Sequence, residues 1–263
     1  MCQHREMTSP HHSDRDPGEY QESTYGERWA PYYDELMSGP EDPAIELLES
    51  FSGPSKRALE LAVGTGRFAI PLSQRGVSVT GVDISEDMVS KLRAKPGGEA
   101  IEVVMADMVD FDLGATFPLA YLPFNTLFSL LSQDRQVACF RNVAHHLEPG
   151  GRFVLDCFVP DVKRYGTDNT RMGVSSITSN DAHAYEVSIH HPVDQSVTSH
   201  HVRRLADGST VVLPVTVRYA WPAEIDLMAQ LAGLDLDARW GWYDRRAFTE
   251  ASGQHVSVYR KPG

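Results

Sequence analysis

Between residues 57 and 158 the chain alternates short apolar runs with stretches of helical spacing, and this alternation restricts the fold more than any other feature. Five runs have the length and composition of buried strands, at residues 58–63, 77–82, 101–105, 119–124 and 152–158. Stretches with helical spacing lie between them, at residues 67–75, 86–95 and 133–147. Because parallel strands need crossover connections, the alternation predicts an α/β fold with a doubly wound, mostly parallel sheet.

After residue 160 the apolar residues follow the period of half-buried strands. Four such segments, separated by turn-forming residues, predict an antiparallel meander inserted after strand five; they cover residues 174–178, 184–190, 196–205 and 210–219. Helical spacing resumes after Pro222, and residues 234–240 and 255–259 supply two closing strands. The predicted organisation is a disordered leader (1–22), N-terminal helices (23–52), a core (53–160), the insertion (161–220) and a completion of the core (221–263).

Composition narrows the range of partners. The 263 residues carry a net charge of −12 without a long basic run, which argues against nucleic acid and anionic membranes as partners. Cys2, Cys139 and Cys157 have neither disulfide nor zinc-type spacing, and no metal is expected. No signal peptide or membrane-spanning run is visible, so a cytoplasmic protein is expected. The oligomeric state stays open, with a homodimer as one option.

A glycine turn follows the first predicted strand. Gly64-Thr-Gly66 stands between that strand and a helix, where backbone N–H groups can approach a ligand closely. A Gly-x-Gly alone is weak evidence, because many turns contain one. Asp83 ends the second strand and Asp107 follows the third, so both carboxylates should lie at the same sheet edge as the glycines. The ordered set of three features predicts a nucleoside site with Asp83 on the ribose hydroxyls.

Three stretches resemble, as a set, the cofactor-binding signatures of class I methyltransferases: Leu59-Glu-Leu-Ala-Val-Gly-Thr-Gly-Arg67, Thr80-Gly-Val-Asp-Ile-Ser85 and Met105-Ala-Asp-Met108. Leu147-Glu-Pro-Gly-Gly-Arg-Phe153 resembles the turn into their fifth strand. The resemblance implies a Rossmann-like, seven-stranded fold that binds S-adenosyl-L-methionine (SAM) and releases S-adenosyl-L-homocysteine (SAH). One departure is Ala62, where such loops usually have their first glycine; the added methyl group is expected to be tolerated.

The resemblance also implies roles for individual residues. Gly64 and Gly66 should face the methionine moiety, with Glu60 and the Ala62 carbonyl near its ammonium group. Asp83 should bind the ribose hydroxyls. The remaining cofactor contacts expected are Ile84 packing on adenine, Asp107 accepting from the adenine amino group, Met108 beside it, Tyr33 from the N-terminal segment, and Leu122 in the segment that passes beneath the sulfonium.

Two other readings of the cofactor site remain open. A nicotinamide dinucleotide is the main competitor, since Ala69 is permitted at the position of the third glycine. Asp107 after strand three favours SAM over it. A SAM-fold protein that catalyses a non-methylating reaction, or acts as an auxiliary subunit, is the second alternative. Retention of Gly64, Gly66 and Asp83 weighs against such a loss of function.

The acceptor of the methyl group should lie under the N-terminal segment and the meander. In the family the aromatic N-terminal segment forms a lid, so Tyr25 and Tyr33 are predicted acceptor contacts, and Asn125 joins them from the loop after strand four. Two histidine pairs stand in the meander, and neighbouring strand residues point to opposite faces. His191, which shares a face with apolar residues 185, 187 and 189, and His201, which shares a face with Arg203, are predicted to point to the covered side; His190 and His200 should face solvent.

These predictions define a catalytic hypothesis. His191 or His201 lines the acceptor pocket and one acts as general base, with a purely structural histidine as the alternative; Arg203 is a further predicted substrate contact. No Asn-Pro-Pro-Tyr signature is present. The lid, the meander and residues 223–234 resemble small-molecule methyltransferases of bacterial secondary metabolism. The resemblance implies methyl transfer to an oxygen or nitrogen of a natural-product intermediate.

Overall fold

The computed structural model of the chain describes residues 20–37, 39–177, 183–205 and 207–263. The leader is predicted at residues 1–22, and its residues 1–19 lie outside the described part of the chain. In the described ranges no helix is both long enough and apolar enough to cross a membrane.

The strands run in chain order as β1 (Arg57–Leu61), β2 (Ser78–Asp83), β3 (Glu102–Met105), β4 (Phe117–Leu122), β5 (Leu147–Phe158), β6 (Thr170–Ile177), β7 (His183–His191), β8 (Ser196–Arg204), β9 (Thr210–Arg218), β10 (Asp235–Trp240) and β11 (Gln254–Arg260). Seven form one sheet in the order β10-β11-β5-β4-β1-β2-β3. Its strands are parallel except β11, which is antiparallel to β5 and β10. The prediction of a doubly wound, mostly parallel seven-stranded sheet is confirmed.

The helices are α1 (Glu22–Trp29), α2 (Tyr33–Leu36), α3 (Asp42–Phe51), α4 (Ala69–Gln74), α5 (Glu86–Arg93), α6 (Gln133–His146) and α7 (Pro222–Leu231). Those that flank the sheet cover both of its faces, and two apolar clusters result, one built with α6 and α7 and the other with α3 and α4. Burial on both faces explains the continuous apolar runs of the central strands. Local capping supports this arrangement: the Ser85 hydroxyl accepts from the Met88 N–H at the start of α5.

The second sheet is antiparallel, in the order β6-β7-β8-β9, and lies in the chain between β5 and α7. This confirms the predicted insertion. Its position beside the main sheet is fixed in part by α1, because the Trp29 indole N–H donates to the Pro214 carbonyl of β9 at 3.0 Å. The first helix therefore lies between the two sheets.

β1 is the topological switch point of the main sheet, since it pairs in parallel with both β2 and β4. From there the chain winds outwards in both directions, and the loops that follow the strands diverge. A crevice at the carboxyl ends of the strands is the usual ligand site in such sheets. The glycine turn at residues 64–66 lies in this crevice.

Candidate active site

A cavity of about 700 Å³ lies at the carboxyl edge of the main sheet. It is lined by the loops after β1, β2, β3, β4 and β5, by the helix α1 with the start of α2, and by one face of the second sheet. The predicted site residues that line it are Tyr25, Tyr33, Ala62, Gly64, Asp83, Ile84, Met108, Asn125, His201 and Arg203. Glu60, Gly66, Asp107, Leu122 and His191 do not line it, and the structure gives each of them a different position.

The turn after β1 depends on three residues with positive φ. Ala62, Gly64 and Gly66 have φ of 51°, 55° and 77°. A positive φ favours glycine, so the usual glycine at the position of Ala62 has a conformational reason, and the alanine is held there with some strain. Gly66 packs inward instead of lining the cavity: a Cβ there would lie 3.0 Å from side-chain atoms of Ile70 and Leu92.

Asp83 connects the glycine turn to the start of α5. Its two carboxylate oxygens accept from the Gly64 N–H at 2.7 Å and the Ser85 N–H at 2.8 Å. The side chain is 8% exposed, and burial raises its pKa, while these N–H groups oppose the rise. Each oxygen keeps a lone pair for a further donor. A pair of vicinal hydroxyls, such as those of a ribose, fits this arrangement.

Glu60 supports the turn from behind. It is fully buried and accepts a hydrogen bond from the Tyr121 hydroxyl at 2.7 Å. Burial raises its pKa to about 8, against the opposing influence of Tyr121 and Arg67. The structure therefore does not bring this carboxyl to the cavity surface, where a direct contact with the cofactor's ammonium group was expected, because strand alternation turns it towards Tyr121 on β4.

Met108 and Ile84 form apolar walls of the cavity, and Ile84 is 44% exposed. Asp107 stands behind them, since its carboxylate accepts from the Arg135 guanidinium at 2.6 Å and from the Val109 N–H at 3.1 Å. Its predicted role, accepting a hydrogen bond from the adenine amino group, requires the oxygen lone pairs that these two hydrogen bonds leave free. Leu122 is fully buried in the core, because both faces of β4 are covered by helices.

The loop after β4 is held in a strained conformation. Phe124 and Asn125 both have positive φ, at 65° and 59°. Buried Asp156 accepts from the Phe124 N–H at 2.7 Å and from the Tyr243 hydroxyl at 2.6 Å, which fixes this turn. The Asn125 side-chain carbonyl accepts from the Phe158 N–H, leaving its amide N–H groups available at the cavity. Strained turns of this kind are concentrated at functional sites.

Charged contacts fasten the N-terminal helices over the cavity at one end. Glu22 of α1 receives two hydrogen bonds from Arg135, at 2.9 and 2.6 Å, and one from the Leu131 N–H at 3.0 Å. Arg135 also bonds Asp107, so one guanidinium joins the first helix to the loop after β3. Gly26 allows the close approach, because a Cβ there would overlap Ser85.

A second set of contacts fastens the other end of the same segment. Asp34 of α2 accepts from the Thr65 hydroxyl at 2.7 Å and from Lys95 at 2.6 Å. Lys95 also donates to the Thr65 carbonyl in the glycine turn. Between the two ends, Tyr25 stacks on Trp29 with ring centroids 5.3 Å apart, and Tyr33 meets Tyr25 edge-on. The segment thus closes the cavity with aromatic side chains.

The face of β7 that is turned towards the cavity is the one that the sequence predicted to be exposed. His191 is exposed, as are Val187 and Ile189. His190 is 6% exposed, bonds the Tyr219 hydroxyl at 2.8 Å and stacks on Tyr165. The predictions that His191 lines the pocket and that His190 faces solvent are therefore wrong. They assumed that the apolar face is covered, whereas the covered face lines a cavity and is polar.

On β8 the predicted orientation is confirmed. His200 is exposed, whereas His201 and Arg203 are half-buried and line the cavity. The His201 ring lies 5.5 Å from that of Trp29, and burial lowers its pKa. Its Nδ1 is shielded from solvent without a hydrogen-bond partner among the described residues.

Several residues of the site escaped the sequence analysis: Glu22, Arg135, Asp156, Tyr165, His190 and Tyr219. Glu22 and Arg135 lie 113 positions apart and nothing local joins them. The sequence indicated Tyr219 only weakly, because it is an aromatic residue at the end of the last predicted meander strand. In the described part of the chain, no three His, Cys, Asp or Glu side chains are grouped to hold a metal ion.

Comparison with known proteins agrees with this geometry. Residues 58–151 match the family model for a methyltransferase domain. The CcbJ methyltransferase from Streptomyces caelestis is 38% identical, and its structure covers 93% of this chain and 100% of its own, with a TM-score of 0.84. A cypemycin N-terminal methyltransferase from Streptomyces sp is 28% identical over 246 residues, which are 91% of this chain and 98% of that protein.

A third relative supports the fold alone. The structure of SAM-bound CalS10, an amino pentose methyltransferase from Micromonospora echinaspora, is 19% identical and has a TM-score of 0.69, covering 94% of this chain and 100% of that one. SAM fits the residues present here: a buried carboxylate with free lone pairs at Asp83, the N–H groups of the glycine turn, and the apolar walls of Ile84 and Met108. This chain belongs to the family of SAM-dependent methyltransferases.

Proposed function

We propose that the protein methylates a nitrogen or oxygen atom of a small natural-product acceptor, which binds between the N-terminal helices and the inner face of β7–β9. The observation that carries this proposal is the continuity of the cavity from Asp83 and Gly64 to His201 and Tyr219. A cavity of about 700 Å³ is large enough for two ligands of moderate size. Relatives whose names specify an N-terminal amine or an aminosugar support a nitrogen or oxygen acceptor.

The cofactor residues follow from the same geometry. Asp83 is proposed to hold the ribose hydroxyls, Ile84 and Met108 to contact the adenine, and the backbone of Ala62 and Gly64 to face the methionine moiety. When bound, SAM supplies a methyl group on a positively charged sulfur. The rest of the chemistry is alignment and exclusion of water, for which the closed aromatic segment with Tyr25 and Tyr33 is suited.

Proton removal from the acceptor is assigned to His201. An ammonium acceptor must lose a proton before its nitrogen can attack the methyl carbon, and a hydroxyl must lose one as its oxygen forms the new bond, while the bond between sulfur and the methyl carbon breaks and SAH leaves. Because burial lowers the pKa of His201, its imidazole is neutral near pH 7 and can accept that proton. Its ring lines the cavity, where the acceptor is proposed to bind. His190 is the less suitable base, since its Nε2 is bonded to the Tyr219 hydroxyl.

The first experiment tests the donor and the reaction class. Calorimetry with SAM and SAH should show binding of both, and incubation with panels of amines and hydroxyl compounds should release SAH from at least one acceptor class. Binding of SAM without SAH release across these panels would favour a non-methylating function. A protein that binds neither would contradict the proposal.

The second experiment tests the base and has a matched control on the same strand. His201→Ala should lower turnover by about 10²–10⁴-fold, the usual contribution of a general base, with little change in SAM affinity. His200→Ala, one position away on the exposed face, should leave both unchanged. Equal turnover in the two variants would refute the assignment of His201.

A further inference from the structure

The inner face of the second sheet carries a cation without a counter-charge. Arg203 is half-buried and lines the cavity, and its Nε is shielded from solvent with no hydrogen-bond partner. Among the described residues, no carboxylate lies within ion-pair distance of its guanidinium, although the chain has 36 Asp and Glu residues. An unpaired guanidinium on the wall of a cavity favours a ligand that carries a negative charge.

His201 lies two residues before Arg203 on the same face of β8. Two residues along a strand span about 6.5–7 Å, so an anionic group can lie between the two side chains. Both residues line the cavity, and Arg203 has no carboxylate partner among the described residues, which points to a ligand that supplies oxygens.

The surrounding charges leave this end of the cavity net positive. From the strands of the second sheet, the titratable groups Glu186, His201 and Arg203 line it, and Arg171 of β6 reaches Glu186. Glu186 lies 3.4 Å from Arg171 and receives a weak contact from the Ser199 hydroxyl, also at 3.4 Å. The Arg171–Glu186 pair is therefore balanced, and the charge of Arg203 remains.

We infer that Arg203 forms an anion-binding subsite, which holds a carboxylate or phosphate group of the acceptor beside His201 at the sheet end of the cavity. The planar guanidinium presents parallel N–H groups that match both kinds of anion, while an uncharged polar group would leave the positive charge unpaired. The inference rests on the proposed function, because it takes the cavity to be the acceptor site. It adds that the acceptor is anionic.

The test uses the full-length protein saturated with SAH and three probes: succinate, inorganic phosphate and the uncharged succinamide. Calorimetry should detect succinate or phosphate but not succinamide, and the tighter of the two anions identifies carboxylate or phosphate as the preferred group. Arg203→Met should weaken the anion at least about tenfold, the effect of losing a charge-assisted pair. Arg204→Met, the exposed neighbour on the opposite face, should not.

Three results would overturn the inference: no binding of either anion, equal binding of succinamide, or equal losses in Arg203→Met and Arg204→Met. SAM affinity, measured on the same protein without SAH, separates this failure from that of the proposed function. Unchanged SAM binding with no anion effect rejects only the subsite. With an acceptor from the SAH-release panels, an acid and its primary amide should differ in KM, and Arg203→Met should abolish that difference while changing kcat less.

Discussion

Glu22→Gln should accelerate the release of SAM, because it breaks the contact that fastens α1 over the cavity. The Glu22 carboxylate receives two hydrogen bonds from Arg135 and one from the Leu131 N–H. A glutamine has nearly the same shape but no charge and only one acceptor oxygen. The substitution therefore weakens the closed state while leaving the helix sequence otherwise intact.

The size of the effect follows from the exposure of the pair. Shielded hydrogen bonds to charged groups contribute about 1.5–3 kcal/mol. Arg135 is 37% exposed and Glu22 is 19% exposed, so solvent screening reduces the pair to about 1 kcal/mol. Weakening the bond to Leu131 adds a fraction of that amount. A total of about 1–2 kcal/mol corresponds to roughly 5–30-fold more opening, and to the same acceleration if opening precedes release.

The assay is a stopped-flow chase, in which enzyme loaded with SAM is mixed with excess SAH. Fluorescence of Trp29, which lies on α1 and bonds β9, follows the opening. Glu27→Gln is the matched control, since Glu27 is exposed on the same helix. Added salt should accelerate wild-type release towards the Glu22→Gln rate, because it screens the ion pair. Release from Glu22→Gln at the wild-type rate, in low salt, would refute the reasoning.

Asp83→Ala should weaken SAM binding by about 1–3 kcal/mol, since shielded ribose hydroxyls would lose a charged acceptor; wild-type affinity in calorimetry would show that the ribose lies elsewhere. Ala62→Gly should change the free energy of unfolding by no more than about 1 kcal/mol, because relief of the positive φ is offset by glycine's greater freedom when unfolded. Gly66→Ala should lower both stability and SAM affinity. Denaturant unfolding should therefore show a clear loss of stability for Gly66→Ala and little change for Ala62→Gly. Burial raises the pKa of Glu60 to about 8 from 4.5, so the folded protein binds a proton that the unfolded chain releases, and stability falls as pH rises through this window. Glu60→Gln, which can still accept from Tyr121, should flatten that fall, and an unchanged pH profile would count against a protonated Glu60.

The main sheet and the donor site were predictable because their signals are local. Buried parallel strands carry uninterrupted apolar runs, which are visible in the sequence. Ligands of such sheets bind at the carboxyl ends of the strands, and Gly64, Asp83 and Met108 each follow or end a predicted strand there. The positive φ of Ala62 was not predictable from its methyl group alone, although a glycine at that position in related loops hints at it.

The acceptor side was only half predictable. A period of two divides a strand into two faces without showing which one is covered. On β7 the apolar face, with Val187 and Ile189, is the exposed one, so the usual assignment of apolar residues to the inside failed for His190 and His191. Contacts such as Glu22–Arg135 depend on tertiary packing across more than a hundred residues, and no pattern in the chain records them.

The alternation of β8 has a consequence for how such an enzyme can diversify. The hydrogen-bonded ladder of the second sheet is made by backbone atoms alone, so substitutions at Ser199, His201 and Arg203 alter the wall of the cavity and leave strand pairing unchanged. The residues proposed to bind the donor stand on separate loops of the main sheet. Selection, natural or in the laboratory, can therefore exchange the acceptor range through a few inward positions while the cofactor half stays constant.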